Sequence, residues 1–218
     1  MSRWLLTGGA GYIGSHVAVE LLASGRDVVI VDDLSTGFAA RIADSAAFVE
    51  GSVQDTKLLA KVMRERDIDG VVHLAAKKAV GESVERPLYY YRENVDGVLA
   101  VLAAMNEAGV NKIVYSSSAA AYGEPAVGEV AEDEPTVPTS PYGETKLIGE
   151  WMVRAQAESQ RLAGSGLANV SLRYFNVAGA GSDLLGDTSV ANLIPMALRA
   201  TTSDKRPMIF GTDYPTPD

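Results

Sequence analysis

The sequence predicts an α/β fold, a doubly wound parallel sheet, on three observations. Short apolar runs recur along the chain, helically patterned stretches fall between them, and a glycine-rich turn joins the first run to the first helix. Near-continuous apolar runs mark strands covered on both faces, the burial of a parallel sheet, and their alternation with helices is the βαβ arrangement. Trp4-Leu5-Leu6, Val28-Val29-Ile30-Val31, Ala47-Phe48-Val49, Gly70-Val71-Val72-His73-Leu74, Lys112-Ile113-Val114-Tyr115 and Val170-Ser171-Leu172-Arg173-Tyr174 read as the strands. Helices are expected over Tyr12–Ser24, Thr56–Arg66, Arg92–Ala108 and Pro141–Leu162. Gly25 and Gly109 fall where a helix C-terminus favours a left-handed residue. In the third helix Val95, Val98, Leu99, Leu102 and Met105 form an apolar stripe at three/four spacing.

Two segments break the rhythm. Residues 124–141 hold Pro125, Pro135, Pro138 and Pro141 and the run Glu132-Asp133-Glu134, so they read as a long surface loop suited to a binding edge. After Tyr174 the chain turns Gly-rich and polar, with one further helix near Asn192–Ala200 and a strand-like Met208-Ile209-Phe210. The expected organisation is a dinucleotide-binding domain over 1–177 and an incomplete C-terminal substrate-binding lobe over 178–218.

Composition narrows the chemistry. The 218 residues carry 19 basic and 28 acidic side chains, a formal charge of −9, which argues against nucleic acid or an anionic membrane as partner. The absence of Cys excludes disulfides, thiolate metal sites and cysteine nucleophiles, and His16 and His73 alone make a histidine-rich metal centre a poor reading. The longest apolar runs fall short of the roughly 20 residues of a membrane span, and no signal-peptide pattern opens the chain. A cytoplasmic location is the expectation.

The segment Thr7-Gly8-Gly9-Ala10-Gly11-Tyr12-Ile13-Gly14 lies between the first strand and first helix. Its glycines permit a tight turn, close approach of a pyrophosphate and close helix–strand packing, and the helix N-terminus stabilises the anion. The second strand ends in Asp32-Asp33, about 20 residues on, where an acid meets a ribose 2′-hydroxyl. This is the fingerprint of a Rossmann fold. A carboxylate at Asp32 accepts the free hydroxyl of NAD and repels the 2′-phosphate of NADP, so NAD is the expected cofactor, with Asp33 a solvated turn residue.

Ser140-Pro141 reads as an N-cap and first helical residue. Tyr142 and Lys146 then lie four apart on one face. A phenol, with a free pKa of about 10, needs roughly 4 kcal/mol of phenolate stabilisation to act as a base near neutrality, and an ammonium and a cationic nicotinamide ring can supply it. Ser116-Ser117-Ser118 closes the fifth strand at the carboxyl end, where open α/β sheets bind ligands. Ser118 is the expected partner of Tyr142. Taken singly, the Tyr/Lys pair also fits a core tyrosine beside a snorkelling lysine.

The glycine loop with Ser118, Tyr142 and Lys146 resembles the extended short-chain dehydrogenase/reductase superfamily, and within it the UDP-glucose 4-epimerase (UDP-galactose 4-epimerase) family. Residues 78–83, 116–119, 140–143, 172–176, 192–195 and 210–216 carry that resemblance nearly end to end. It implies catalysis by Ser118, Tyr142 and Lys146, and NAD contacts from Gly8, Gly11, Tyr12, Ile13, Asp32, Ser52, Val53, Lys78, Asn94, Lys146 and Tyr174. It implies UDP-sugar contacts from Ser118, Tyr142, Asn176, Asn192, Leu193 and Phe210. From the residues alone, Asn94 can bridge a loop or a ligand or cap a helix, Lys78 can meet a phosphate or solvent, and Phe210 can stack on a base or fill a core. The implied reaction is interconversion of UDP-glucose and UDP-galactose through a 4-keto sugar, in a homodimer paired through the Arg92–Ala108 and Pro141–Leu162 helices.

Two departures stand out. The family has Gly-Asp after the third strand where this chain has Gly51-Ser52, which weakens the expected adenine-side contact. The family also continues well past residue 218, so the chain is expected to be a fragment or to have an incomplete sugar site. A nucleotide-sugar dehydratase or 4-ketoreductase, and a truncated, inactive NAD-binding module, are the competing readings.

Overall fold

A computed structural model describes residues 2–125, 128–189, 192–203 and 206. The strands are β1 (Arg3–Thr7), β2 (Asp27–Asp32), β3 (Ala47–Glu50), β4 (Gly70–His73), β5 (Lys112–Ser116) and β6 (Ala168–Leu172). They form one sheet in the order β3-β2-β1-β4-β5-β6, every pair parallel. The order reverses at β1, and the crevice beside that strand's carboxyl end is where doubly wound sheets take ligands.

The helices are α1 (Tyr12–Ala23), α2 (Thr56–Glu65), α3 (Val80–Glu85), α4 (Pro87–Tyr90), α5 (Asp96–Ala108), α6 (Pro141–Leu162) and α7 (Leu193–Thr201). Alternation along the strands splits the core. Leu5, Val29, Val31, Val71 and Ile113 pack toward α2, α5 and α6, with Leu59, Met63, Val101, Met105 and Val153 filling that layer. Leu6, Val28, Ile30 and Val72 face the other way, onto Ala18 and its neighbours on α1.

Local signals account for most element ends. Gly25 and Gly109 have φ of +78° and +75°, the left-handed conformation that ends a helix without a Cβ penalty. Asp55 caps α2 by accepting from Leu58 N at 3.0 Å, and Ser140 caps α6 by accepting from Gly143 N at 3.2 Å with Pro141 in first position.

Two expectations need correction. The last strand lies over 168–172 rather than 170–174, because Arg173 and Tyr174 leave the ladder for side-chain partners on α6 and β5. The third long helix begins before Arg92: α4 opens at Pro87 and runs through a π-helical turn, Tyr91–Val95, into α5. That wider turn buries Asn94, whose amide is bound to the loop after β4. Helix α3 lies in a stretch for which no element was expected. The strand expected at Met208–Phe210, and Phe210 itself, lie outside the described residues.

Candidate active site

After β1 the chain turns at Gly8, with φ of +75°. A Cβ there would lie 2.7 Å from Ala75 N, and one on Gly14 would lie 2.2 Å from Gly8 O and 2.7 Å from Gly9 Cα. The loop therefore fits only with glycines at both points, which brings the first turn of α1 down onto it. Gly11 is the N-cap and no side chain caps the helix, leaving first-turn N–H groups for an anion. Asp32 braces this loop: its carboxylate accepts from Ala10 N at 3.0 Å and Leu34 N at 2.8 Å. Burial pushes its pKa up against those hydrogen bonds and the Lys77 charge.

From β1 a polar chain crosses to β5. Thr7 Oγ1 is hydrogen-bonded to His73 Nδ1 at 2.6 Å, His73 stacks on Tyr115 with ring centroids 5.9 Å apart, and Tyr115 donates to the Lys146 carbonyl at 3.3 Å. Lys146, only 4% exposed, donates from Nζ to the Ser116 carbonyl at 2.8 Å. Its ammonium lies 5.9 Å from the centre of the Tyr142 ring, and burial pulls its pKa down to about 8. The Tyr142 phenol pairs with the Ser118 hydroxyl, and Ser118 Oγ also accepts from Ala120 N at 3.2 Å.

The expected depression of the phenol by Lys146 is not produced by the protein groups alone. Burial raises the Tyr142 pKa, and the Ser118 hydrogen bond lowers it only in part. A lysine whose own charge is penalised by burial and turned toward a carbonyl does little for a phenolate.

Beyond β6 the chain crosses back over α1. Tyr12 donates its hydroxyl to the Gly179 carbonyl, Gly181 N donates to His16 Nε2 at 3.0 Å, and Arg41 donates to the carbonyls of Leu184 and Gly186. This strap, residues 179–188, is thus fastened beside the glycine loop. Tyr174 is hydrogen-bonded to Ser116 Oγ and sits near enough to Tyr142 to raise its own pKa further, after burial.

The remaining sequence-predicted residues are less concentrated. Asn94 is buried and spends its amide on the protein, accepting from Lys77 N at 2.8 Å and donating to Lys77 O and Thr145 Oγ1, each at 3.0 Å. Of the readings left open for it, loop bridging is the one seen. Ile13 lies in the first turn of α1. Lys78, Ser52 and Asn176 are exposed; Ser52 Oγ accepts from Gln54 N at 3.2 Å. Val53 packs toward Gly97. Asn192 caps α7 through its carbonyl, and Leu193 is exposed at the start of that helix.

Sequence reasoning missed Glu150, Arg173 and Ser117. Arg173 grips the Glu150 carboxylate with two hydrogen bonds, 2.8 and 2.6 Å, and Ser117 donates to the same carboxylate. One signal was present: Glu150 follows Lys146 by four residues, on the same helix face.

Comparison with known proteins identifies the family. The NAD dependent epimerase/dehydratase family matches residues 4–216. The UDP-glucose 4-epimerase of Streptomyces lividans is 45% identical over 220 residues, covering 99% of this chain and 65% of its own length. That of Corynebacterium glutamicum is 46% identical over 218 residues, covering 99% and 64%. Among solved structures, the UDP-glucose-4-epimerase of Stenotrophomonas maltophila with bound NAD and formylated UDP-arabinopyranose superposes with a TM-score of 0.90 at 40% identity, covering 99% of this chain and 67% of that one. The UDP-glucose 4-epimerase of Bifidobacterium longum in complex with NAD+ and UDP gives 0.89 at 36%, covering 100% and 68%. The chain thus spans about 65% of the length of its curated relatives, and it belongs to the NAD dependent epimerase/dehydratase family.

Proposed function

We propose that this chain carries the catalytic residues of an NAD-dependent enzyme that interconverts UDP-glucose and UDP-galactose at C4 through a 4-keto sugar. The observation that carries the reading is the meeting of the Tyr142 phenol, Ser118 hydroxyl and Lys146 ammonium at the end of β5, beside the glycine loop. NAD fits the residues present: the turn closes this tightly only with glycine at positions 8 and 14, α1 offers an uncapped N-terminus, and Asp32 stands at the end of β2. When bound, NAD would supply a reversible hydride acceptor and a positively charged ring.

The protein's own groups handle the proton. Ser118 orients the sugar 4-hydroxyl toward Tyr142, whose oxygen, in its phenolate form, takes that proton and later returns it. Lys146, with a pKa near 8, stays largely protonated at neutral pH and keeps a cation beneath the phenol. Gly8, Gly11, Tyr12, Ile13 and Asp32 are proposed to hold the dinucleotide, with Ser52, Val53, Lys78, Asn94 and Tyr174 around its adenine and nicotinamide ends. Asn176, Asn192, Leu193 and Phe210 are assigned to the UDP-sugar, in a nucleotide-sugar lobe built on residues 178–218. Ala119–Ala121 form a short 3-10 turn straight after Ser118 and supply no carboxylate, which weighs against dehydration.

A homodimer is proposed on Leu88, Leu99 and Trp151, which stay exposed on α4, α5 and α6. A cytoplasmic location is part of the same proposal; no helix among the described residues is long and apolar enough to cross a membrane. The test is conversion of UDP-galactose to UDP-glucose by the purified chain. Tyr142→Phe is expected to lower turnover by orders of magnitude, roughly the share of general acid–base catalysis, with its dinucleotide retained. Undiminished turnover in that variant would remove Tyr142 from the reaction.

A further inference from the structure

The three serines that close β5 are each engaged differently. Ser116 gives its carbonyl to Lys146 and its hydroxyl to Tyr174, Ser118 meets Tyr142, and Ser117, between them, donates to Glu150. Glu150 is itself one helical turn beyond Lys146 on α6 and is buried. Arg173 delivers a two-pronged grip to it and continues directly into Tyr174, whose carbonyl accepts from Ala119 N at 3.1 Å. The Arg173 guanidinium also lies 4.7 Å above the centre of the Tyr122 ring.

We propose that Glu150 is a positioning residue, a hub through which Ser117 and Arg173 lock the 116–118 turn and the Tyr174 strand end to the helix bearing Tyr142 and Lys146. A planar fork on a carboxylate fixes orientation as well as distance. With Ser117 taking one oxygen too, three segments distant in sequence share a single anchor. Burial works against the carboxylate, but Arg173, Ser117 and the more distant Arg154 hold it ionised. Glu150, Ser117 and Arg173 are engaged with one another and with other protein groups, so the hub acts on the reaction through the placement of Ser118 relative to the phenol. Placement errors on the order of 1 Å cost about 10²-fold in rate.

This inference rests on the epimerase reading, and its test separates the two. In Glu150→Gln, kcat is expected to fall about tenfold or more with KM changed by less than about twofold, the mark of an interaction realised in the transition state. Bound dinucleotide should be unchanged. Independently of any substrate, the Tyr142 ionisation is read as the tyrosinate absorbance that each protein loses on Tyr142→Phe. In Glu150→Gln its ionisation constant should rise toward that of an ordinary phenol, as a loosened turn admits water. Ser117→Ala, which leaves the ion pair in place, should reproduce part of both effects, and Arg173→Lys, which keeps the charge and loses the fork, should fall between. A native chain that converts no UDP-galactose would sink the epimerase reading, and the phenol titration would still decide the hub. The hub is overturned if Glu150→Gln and Ser117→Ala both leave that titration unmoved, whatever they do to thermal stability.

Discussion

His73 makes a sharp prediction about acid. It is fully buried, paired to Thr7 and stacked on Tyr115, and burial together with the Lys146 charge pulls its pKa down to about 3. Unfolded, it takes up a proton below roughly pH 6.5. The unfolded state therefore binds more protons throughout that window, and stability must fall as pH falls from about 6.5 toward 3. Between about pH 7 and pH 5 one such histidine contributes a loss of about 2 kcal/mol. The perturbation is His73→Asn, which keeps a polar atom near Thr7 and leaves a cavity whose penalty is the same at every pH. Urea unfolding of both proteins at the two pH values gives the difference between them, which should shrink by about 2 kcal/mol on acidification. A difference that stays constant would refute the claim that His73 is held neutral in the folded protein.

Other perturbations read other parts of the molecule. Gly14→Ala places a Cβ 2.2 Å from a backbone oxygen, so dinucleotide affinity measured by fluorescence titration should fall even though alanine favours a helix by about 1 kcal/mol. Ser140→Ala removes the cap at the head of α6 and should lower unfolding free energy by about 1 kcal/mol; an unchanged denaturation midpoint would dismiss the cap. Asp32→Asn weakens the brace to Ala10 and Leu34 and removes the charge opposing a 2′-phosphate, so the ratio of NADP to NAD dissociation constants should drop. Replacing Leu88 and Trp151 by Glu should convert a dimer to monomer in light scattering.

What the sequence disclosed was set by range. Strand cores, the Ser140-Pro141 helix start and the Gly25 and Gly109 stops depend on neighbours within a few residues, and each stands where local rules put it. The π turn could not be read that way, because Asn94 is drawn inward by a loop 17 residues earlier. The end of β6 failed for the same reason: Arg173 and Tyr174 have strand-forming neighbours, yet Glu150 and Ser116 claim them. Within the candidate site, Tyr142, Lys146 and Ser118 were legible as types at a spacing. Glu150 was not, since an acid on a long helix usually faces water, and only the fold brings Ser117 and Arg173 to it.

The strap over α1 is fastened almost wholly through its main chain: Tyr12, His16 and Arg41 reach for peptide groups of Gly179, Gly181, Leu184 and Gly186. Such ties ask nothing of the side chains at positions 184 and 186, whereas Gly179, with φ of +114°, itself favours glycine. Elsewhere along the strap, mutation can therefore rewrite its outward chemistry without unfastening it.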